Sequence, residues 1–193
     1  MLKKFLLLTV GFLFIGQVVW ADSYQIDPVH SQIHFAVAHL VVFKVKGEFT
    51  DYQGEVNVDP SGQTLQSAVA TIKVASIDTR EKKRDDHLRS ADFFDAADYP
   101  DMTFATTSVE GSGDKITVHG NLTIRGNTRE VVLTGRYLGA AKDPWGNQRA
   151  GFEAKGTINR HDFGLNWSKT LETGGLVVGD DVEIGLDIEA IRK

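Results

Sequence analysis

Beyond Ala21 the chain alternates apolar and polar residues with a period of two. Ile33, Phe35 and Val37 alternate with His34, Ala36 and Ala38. That period sends successive side chains to opposite faces of a strand. The same pattern predicts strands over 45–49, 55–58, 69–74, 102–109, 116–124, 131–138, 149–158 and 182–191. Tyr52-Gln53-Gly54 reads as a turn and predicts a hairpin between 45–49 and 55–58. The other breaks are rich in residues that suit turn dihedrals: Asp59-Pro60-Ser61-Gly62, Gly111-Ser112-Gly113-Asp114, Gly126-Asn127 and Asp143-Pro144-Trp145-Gly146-Asn147. About eight antiparallel strands or slightly more form a sandwich or a closed barrel. A barrel of that size is either filled by side chains or holds one small ligand. The small inward candidates Ala70, Gly120, Ala154 and Gly156 favour a cavity, because they leave volume unfilled.

One stretch breaks the alternation. From Ser76 to Asp95 the chain reads SIDTREKKRDDHLRSADFFD. A charged run gives way to Leu88, Phe93 and Phe94. Ser76 or Asp78 is the expected cap of a short helix, and Leu88 gives that helix an apolar face. Two readings stay open: a lid over the mouth of a barrel, or a solvated connection whose aromatics plug the core. Arg84 and Asp85 are expected to pair and pin the segment.

The first 21 residues read as a signal peptide. Lys3 and Lys4 form a basic n-region, 5–15 an apolar h-region, and Val19-Trp20-Ala21 a cleavage site. The run is short for a membrane span. Cleavage leaves one domain over 22–193, without a stable membrane anchor, and shifts the formal charge from −5 to −7. There is no cysteine, which removes thiol catalysis and thiolate metal sites. The acidic balance argues against a sequence-independent nucleic-acid binder and a basic membrane-surface protein.

Candidate chemistry is sparse. Of the six histidines, His30 and His34 share a strand face and His39 falls on the other, so a metal site is not expected. His30 reads as a turn residue bonded to Asp27 or Ser31. His39 continues the face of Ile33, Phe35 and Val37, as a core residue or a polar group at a cavity mouth. No nucleophile elbow, phosphate loop or dinucleotide fingerprint occurs. No cofactor is expected. An enzyme using His39 or His87 as acid–base on a lipid head group stands as the alternative function.

Several motifs in order carry a resemblance. They include Asp27-Pro28-x-His30-Ser31, Gly47-x-Phe49, Ser76-Ile77-Asp78-Thr79, Arg84-Asp85-x-His87-Leu88, Asp92-Phe93-Phe94-Asp95 and Tyr99-Pro100. Gly120-x-Leu122-Thr123-Ile124, Gly151-Phe152, Asn159-Arg160-x-Asp162-Phe163-Gly164 and Val178-Gly179-Asp180-x-Val182 complete the series. Together they resemble the YceI-like family over the whole chain past the signal peptide. The resemblance implies an all-β, antiparallel, lipocalin-like barrel, to which the 76–95 stretch adds a short helical lid. It implies a periplasmic protein that binds a polyisoprenoid lipid of quinone or prenyl-pyrophosphate type, without catalysis. Dimers occur in the family, so a homodimer is an open state. Combined with the alternation, this nominates Ile33, Phe35, Val37, Phe49, Ile72, Val74, Phe104, Val118, Leu122, Leu133 and Phe152 as pore wall. His39 is nominated at the mouth, and Leu88, Phe93 and Phe94 as lid.

Overall fold

A computed structural model describes residues 21–40, 42–59, 64–169 and 177–193. The expected signal peptide, apart from Ala21, lies outside the described residues, as does most of the Asp59–Gly62 turn. Eleven strand segments form one antiparallel sheet: β1 Asp22–Ile26, β2 Gln32–His39, β3 Phe43–Phe49, β4 Tyr52–Val58, β5 Leu65–Lys73, β6 Ile77–Asp78, β7 Asp101–Ser112, β8 Lys115–Ile124, β9 Asn127–Lys142, β10 Gln148–Asn159 and β11 Val178–Arg192. The sheet closes where β11 pairs with β1, Tyr24 opposite Arg192, and with β2, Leu186 opposite Ile33.

Three staves of the barrel are broken in the middle. β1 and β2 form one, interrupted at Asp27–Ser31. β3 and β4 form the next, interrupted at Thr50-Asp51. β5 and β6 form the third, joined by a 3₁₀ turn over Val74–Ser76. β1 pairs with β4 while β2 pairs with β3, and β4 pairs with β5 while β3 pairs with β6. The eleven segments thus make a closed barrel of eight antiparallel staves.

This corrects the expected hairpin. β3 and β4 run on along one stave, and the chain reverses instead beyond His39, ahead of Phe43. Gly54 is not a turn residue. A Cβ there would lie 2.5 Å from the Val69 carbonyl oxygen and 2.6 Å from Ile26 Cδ1, so it is a point of close approach between staves. Val74 is likewise not a strand residue, because the 3₁₀ turn starts there.

Two buried clusters divide the interior. Tyr24, Val58, Ile116, Tyr137, Phe152 and Ala190 belong to the one that fills the end carrying the β7–β8 and β9–β10 turns. Phe49, Ile72, Met102, Ile124, Phe163 and Leu165 belong to the other, toward the end that carries the helix. The strand residues of each are the inward half of a period-two pattern, and Phe163 and Leu165 join the second from the segment after β10. Burying such a side chain contributes roughly 1.5–3 kcal/mol.

Candidate ligand-binding site

A cavity of about 240 Å³ lies inside the barrel, lined almost wholly by apolar side chains. Of the nominated wall and lid residues, Ile33, Phe35, Val37, Phe49, Ile72, Leu88, Phe93, Phe94, Phe104, Val118, Leu122, Leu133 and Phe152 line it. Val74 and His39 do not. Val74 is 1% exposed, in the helix-side core beneath the 3₁₀ turn. His39 ends β2, and its Nδ1 lies 3.0 Å from the Val177 carbonyl oxygen. It ties the end of β2 to the residue ahead of β11 at the rim.

The wall holds more than the sequence reading named. Val182, Ile184, Leu186 and Ile188 contribute the apolar face of β11, legible from the same period. The small residues divide, the alanines as expected and the glycines not. Ala70 and Ala154 line the cavity. Gly120 does not: a Cβ there would lie 2.4 Å from the Phe104 ring, because that ring lies across the glycine and takes its space. Gly156 accommodates Leu133 in the same way, at 2.7 Å from Leu133 Cδ2.

The lid is a helix, α1, over Lys82–Arg89, followed by the Phe93-Phe94 pair. Its cap is Glu81, whose side chain accepts the Lys83 amide, and not Ser76 or Asp78. Asp78 instead accepts the Arg80 amide at 2.6 Å. Arg84 and Asp85 do not pair with each other. Both converge on Thr79: Asp85 Oδ1 accepts its amide at 2.9 Å and its hydroxyl at 2.5 Å. Arg84 donates Nε to Thr79 Oγ1 at 2.7 Å and Nη2 to its carbonyl at 2.8 Å. The residue being pinned is Thr79, which sets where the helix leaves β6. Arg89 adds bonds to the carbonyls of Ala75 and Ile77.

Aromatic side chains close the lid. Phe93 and His87 meet edge to face at 5.1 Å, and His87 meets Trp167 the same way at 5.0 Å. Phe93 and Trp167 complete the triangle at 5.2 Å. His87 Nε2 lies 3.0 Å from Asp92 Oδ2. Neither His87 nor His39 lines the cavity.

Arg160 is the one charged group among the cavity residues that is deeply buried, at 2% exposure. It sits in a 3₁₀ turn over Arg160–Phe163 capped by Asn159. Its guanidinium donates to the carbonyls of Leu165, Trp167 (2.9 Å) and Gly179 (2.9 Å), and to Asp180 Oδ1 at 3.3 Å. Burial pulls its pKa down against the Asp180 charge. The guanidinium is thus engaged by protein acceptors and holds two loop segments to the rim. Sequence reasoning assigned Arg160 no role. Its presence in the Asn159–Gly164 motif was the available signal.

Beside it, His161 places Nδ1 3.0 Å from Asn166 Oδ1 and Nε2 2.7 Å from Asp180 Oδ1. These bonds raise the His161 pKa, the Asn166 bond most. The His161 bond, with Arg160 beside it, holds Asp180 below the usual carboxylate range.

His30 meets Asp27, as its place in the turn suggested, with Nδ1 2.8 Å from Asp27 Oδ2. Asp27, His30 and Glu189 bring ligand-type atoms within 4.8 Å of one another on the barrel exterior. Arg149 reaches Asp27 Oδ2 at 2.9 Å, Asp143 Oδ2 at 2.8 Å and Glu189 Oε1. The guanidinium supplies the countercharge there.

A closed eight-stave barrel with an apolar interior and a helix over one end is a familiar arrangement. The model of the YceI-like domain matches residues 24–190. The chain belongs to the YceI-like family. The Escherichia coli O157:H7 protein YceI is 40% identical over 180 residues, covering 92% of this chain and 91% of that one. Among solved structures, the Campylobacter jejuni YceI protein superposes with a TM-score of 0.71 at 36% identity, over 81% of this chain and 90% of that one. A polyisoprenoid-binding domain from Saccharophagus degradans, implicated in plant cell wall breakdown, gives a TM-score of 0.62 at 16% identity, over 88% of this chain and 98% of that one. At that identity the likeness concerns the fold of this YceI-like chain alone.

Proposed function

We propose that this protein is exported, cleaved after Ala21, and carries a polyisoprenoid lipid in its barrel within the periplasm. The observation that carries the reading is an apolar cavity inside a closed barrel, with an aromatic lid at one end. The likeness in fold to a polyisoprenoid-binding domain agrees with it. The physics is additive: each buried methylene gains roughly 0.8 kcal/mol. An isoprene unit then gains on the order of 3 kcal/mol gross, before chain ordering is subtracted. The wall sets affinity through length, and polar groups at the rim select the head group. A binding role needs no acid–base pair, and both candidate histidines are turned to structural partners.

Mass spectrometry of lipid extracted from protein purified out of the periplasmic fraction tests this. An isoprenoid at near-stoichiometric yield, on a chain starting at Asp22, is expected. A full-length cytoplasmic protein that never yields lipid would end the proposal.

A further inference from the structure

The β2–β3 hairpin carries its apolar stripe past the rim of the barrel. Ile33 lies opposite Phe49, Phe35 opposite Gly47, Val37 opposite Val45 and His39 opposite Phe43. The stripe begins in the cavity wall with Ile33, Phe35, Val37 and Phe49. It ends in solvent: Phe43 is 70% exposed and Val42 86%. Leu40 beside them is 38% exposed and holds a φ of +53°. Tight turns ordinarily place Gly, Asn or Asp at such a position, where leucine is strained. Folding gains nothing from an apolar tip here, and adjacent exposed apolar residues call for a function.

We infer that this tip docks on a lipid bilayer, with Leu40, Val42 and Phe43 inserted among the acyl chains and the barrel mouth facing the membrane. Three features select this occupant. The tip continues the stripe of the cavity wall through Val37 and Val45, with His39 beside Phe43 at the rim, so a chain leaving the bilayer meets a largely apolar path inward. Lys44 and Lys46 are exposed on β3 just behind the tip. Lys44 pairs with Glu183, and Lys46 forms no ion pair among the described residues, which leaves its charge for lipid phosphates. The tip is also small. A stable dimer buries about 20 residues on each side, whereas these side chains suit shallow, reversible insertion. The purpose of docking rests on the carrier reading, but docking itself is measured without ligand.

The test is sedimentation of the purified protein with sucrose-loaded vesicles of phosphatidylethanolamine and phosphatidylglycerol. Wild type is expected in the pellet. Val42→Asp with Phe43→Asp should lower the partition coefficient roughly tenfold or more, with circular dichroism unchanged. Because the chain has no cysteine, Val42→Cys takes a single environment-sensitive dye. Its emission should shift to the blue on vesicles, whereas the dye on Trp145→Cys, at the opposite end of the barrel, should not respond. Wild type left in the supernatant, equal sedimentation of the double variant, or equal shifts at both ends would overturn docking. So would a dimer in light scattering that the two aspartates dissociate, without vesicle binding, since that assigns the tip to a second copy. Vesicle binding by a protein that yields no isoprenoid keeps docking and removes the carrier reading.

Discussion

Phe94 of the lid meets Phe49 of the wall edge to face, with ring centroids 6.0 Å apart and planes at 88°. This contact fastens the segment after α1 to β3. Phe94 is half-buried, so Phe94→Ala should cost less than a fully buried truncation, about 1–3 kcal/mol by urea denaturation. It should also speed release of a fluorescent isoprenoid several-fold, followed by stopped flow. Unchanged release with lowered stability would make the contact purely structural.

Val118 separates a cavity from a filled core. It is 4% exposed and lines the cavity. With space beside it, Val118→Phe should fold normally by circular dichroism and lose bound isoprenoid. In a filled interior the same change overpacks and costs about 1–3 kcal/mol. Phe35→Asp, by contrast, should abolish binding and destabilise the barrel together, because it buries a carboxylate among apolar groups.

His161 makes stability depend on pH. Its folded pKa is raised by Asn166 and Asp180. It therefore adds stability that is fully present below the unfolded pKa, about 6.5. That contribution is lost as pH rises through the folded value. Asp180 is depressed, so its contribution is present above the usual carboxylate range and lost on acidification. The clasp is strongest between these limits. The difference in Tm between wild type and His161→Gln should be largest near pH 6 and shrink toward pH 8. A constant difference would detach the clasp from the proton.

Arg160 holds three carbonyls with one planar fork. Arg160→Lys keeps the charge but cannot reach Leu165, Trp167 and Gly179 together. Unpaired buried acceptors cost about 1–3 kcal/mol each, so a loss of roughly 2–4 kcal/mol is expected in urea denaturation. A loss near zero would show that the loops are held by other contacts.

The period-two pattern was enough to read most strands and much of the inward face that lines the cavity, because both depend only on which residues alternate. Breaks within staves were harder. Tyr52-Gln53-Gly54 has turn composition, yet Gly54 serves a close crossing of backbones that only the register reveals. The first strand went unread because Asp22–Ile26 is short and stops two residues before Pro28. The Thr79 clamp was invisible for a related reason. Arg84 and Asp85 are neighbours of opposite charge, and nothing local says that both reach a hydroxyl several residues back. Gly120 shows the same limit, since a small residue marks a cavity or a seat for a ring according to what lies across the sheet.

Chain order around the barrel has a kinetic side. Every stave pairs with its successor in sequence except at one seam, where β11 meets β1 and β2 and Tyr24 faces Arg192. The entropy of joining distant segments is thus concentrated in a single late step, after cheaper local pairings are in place. During synthesis from the amino terminus, the first stave exists with one edge open until β11 has emerged. Truncation by even one stave at the carboxyl end therefore leaves two exposed sheet edges, and the expected fate of such a fragment is aggregation rather than a smaller barrel.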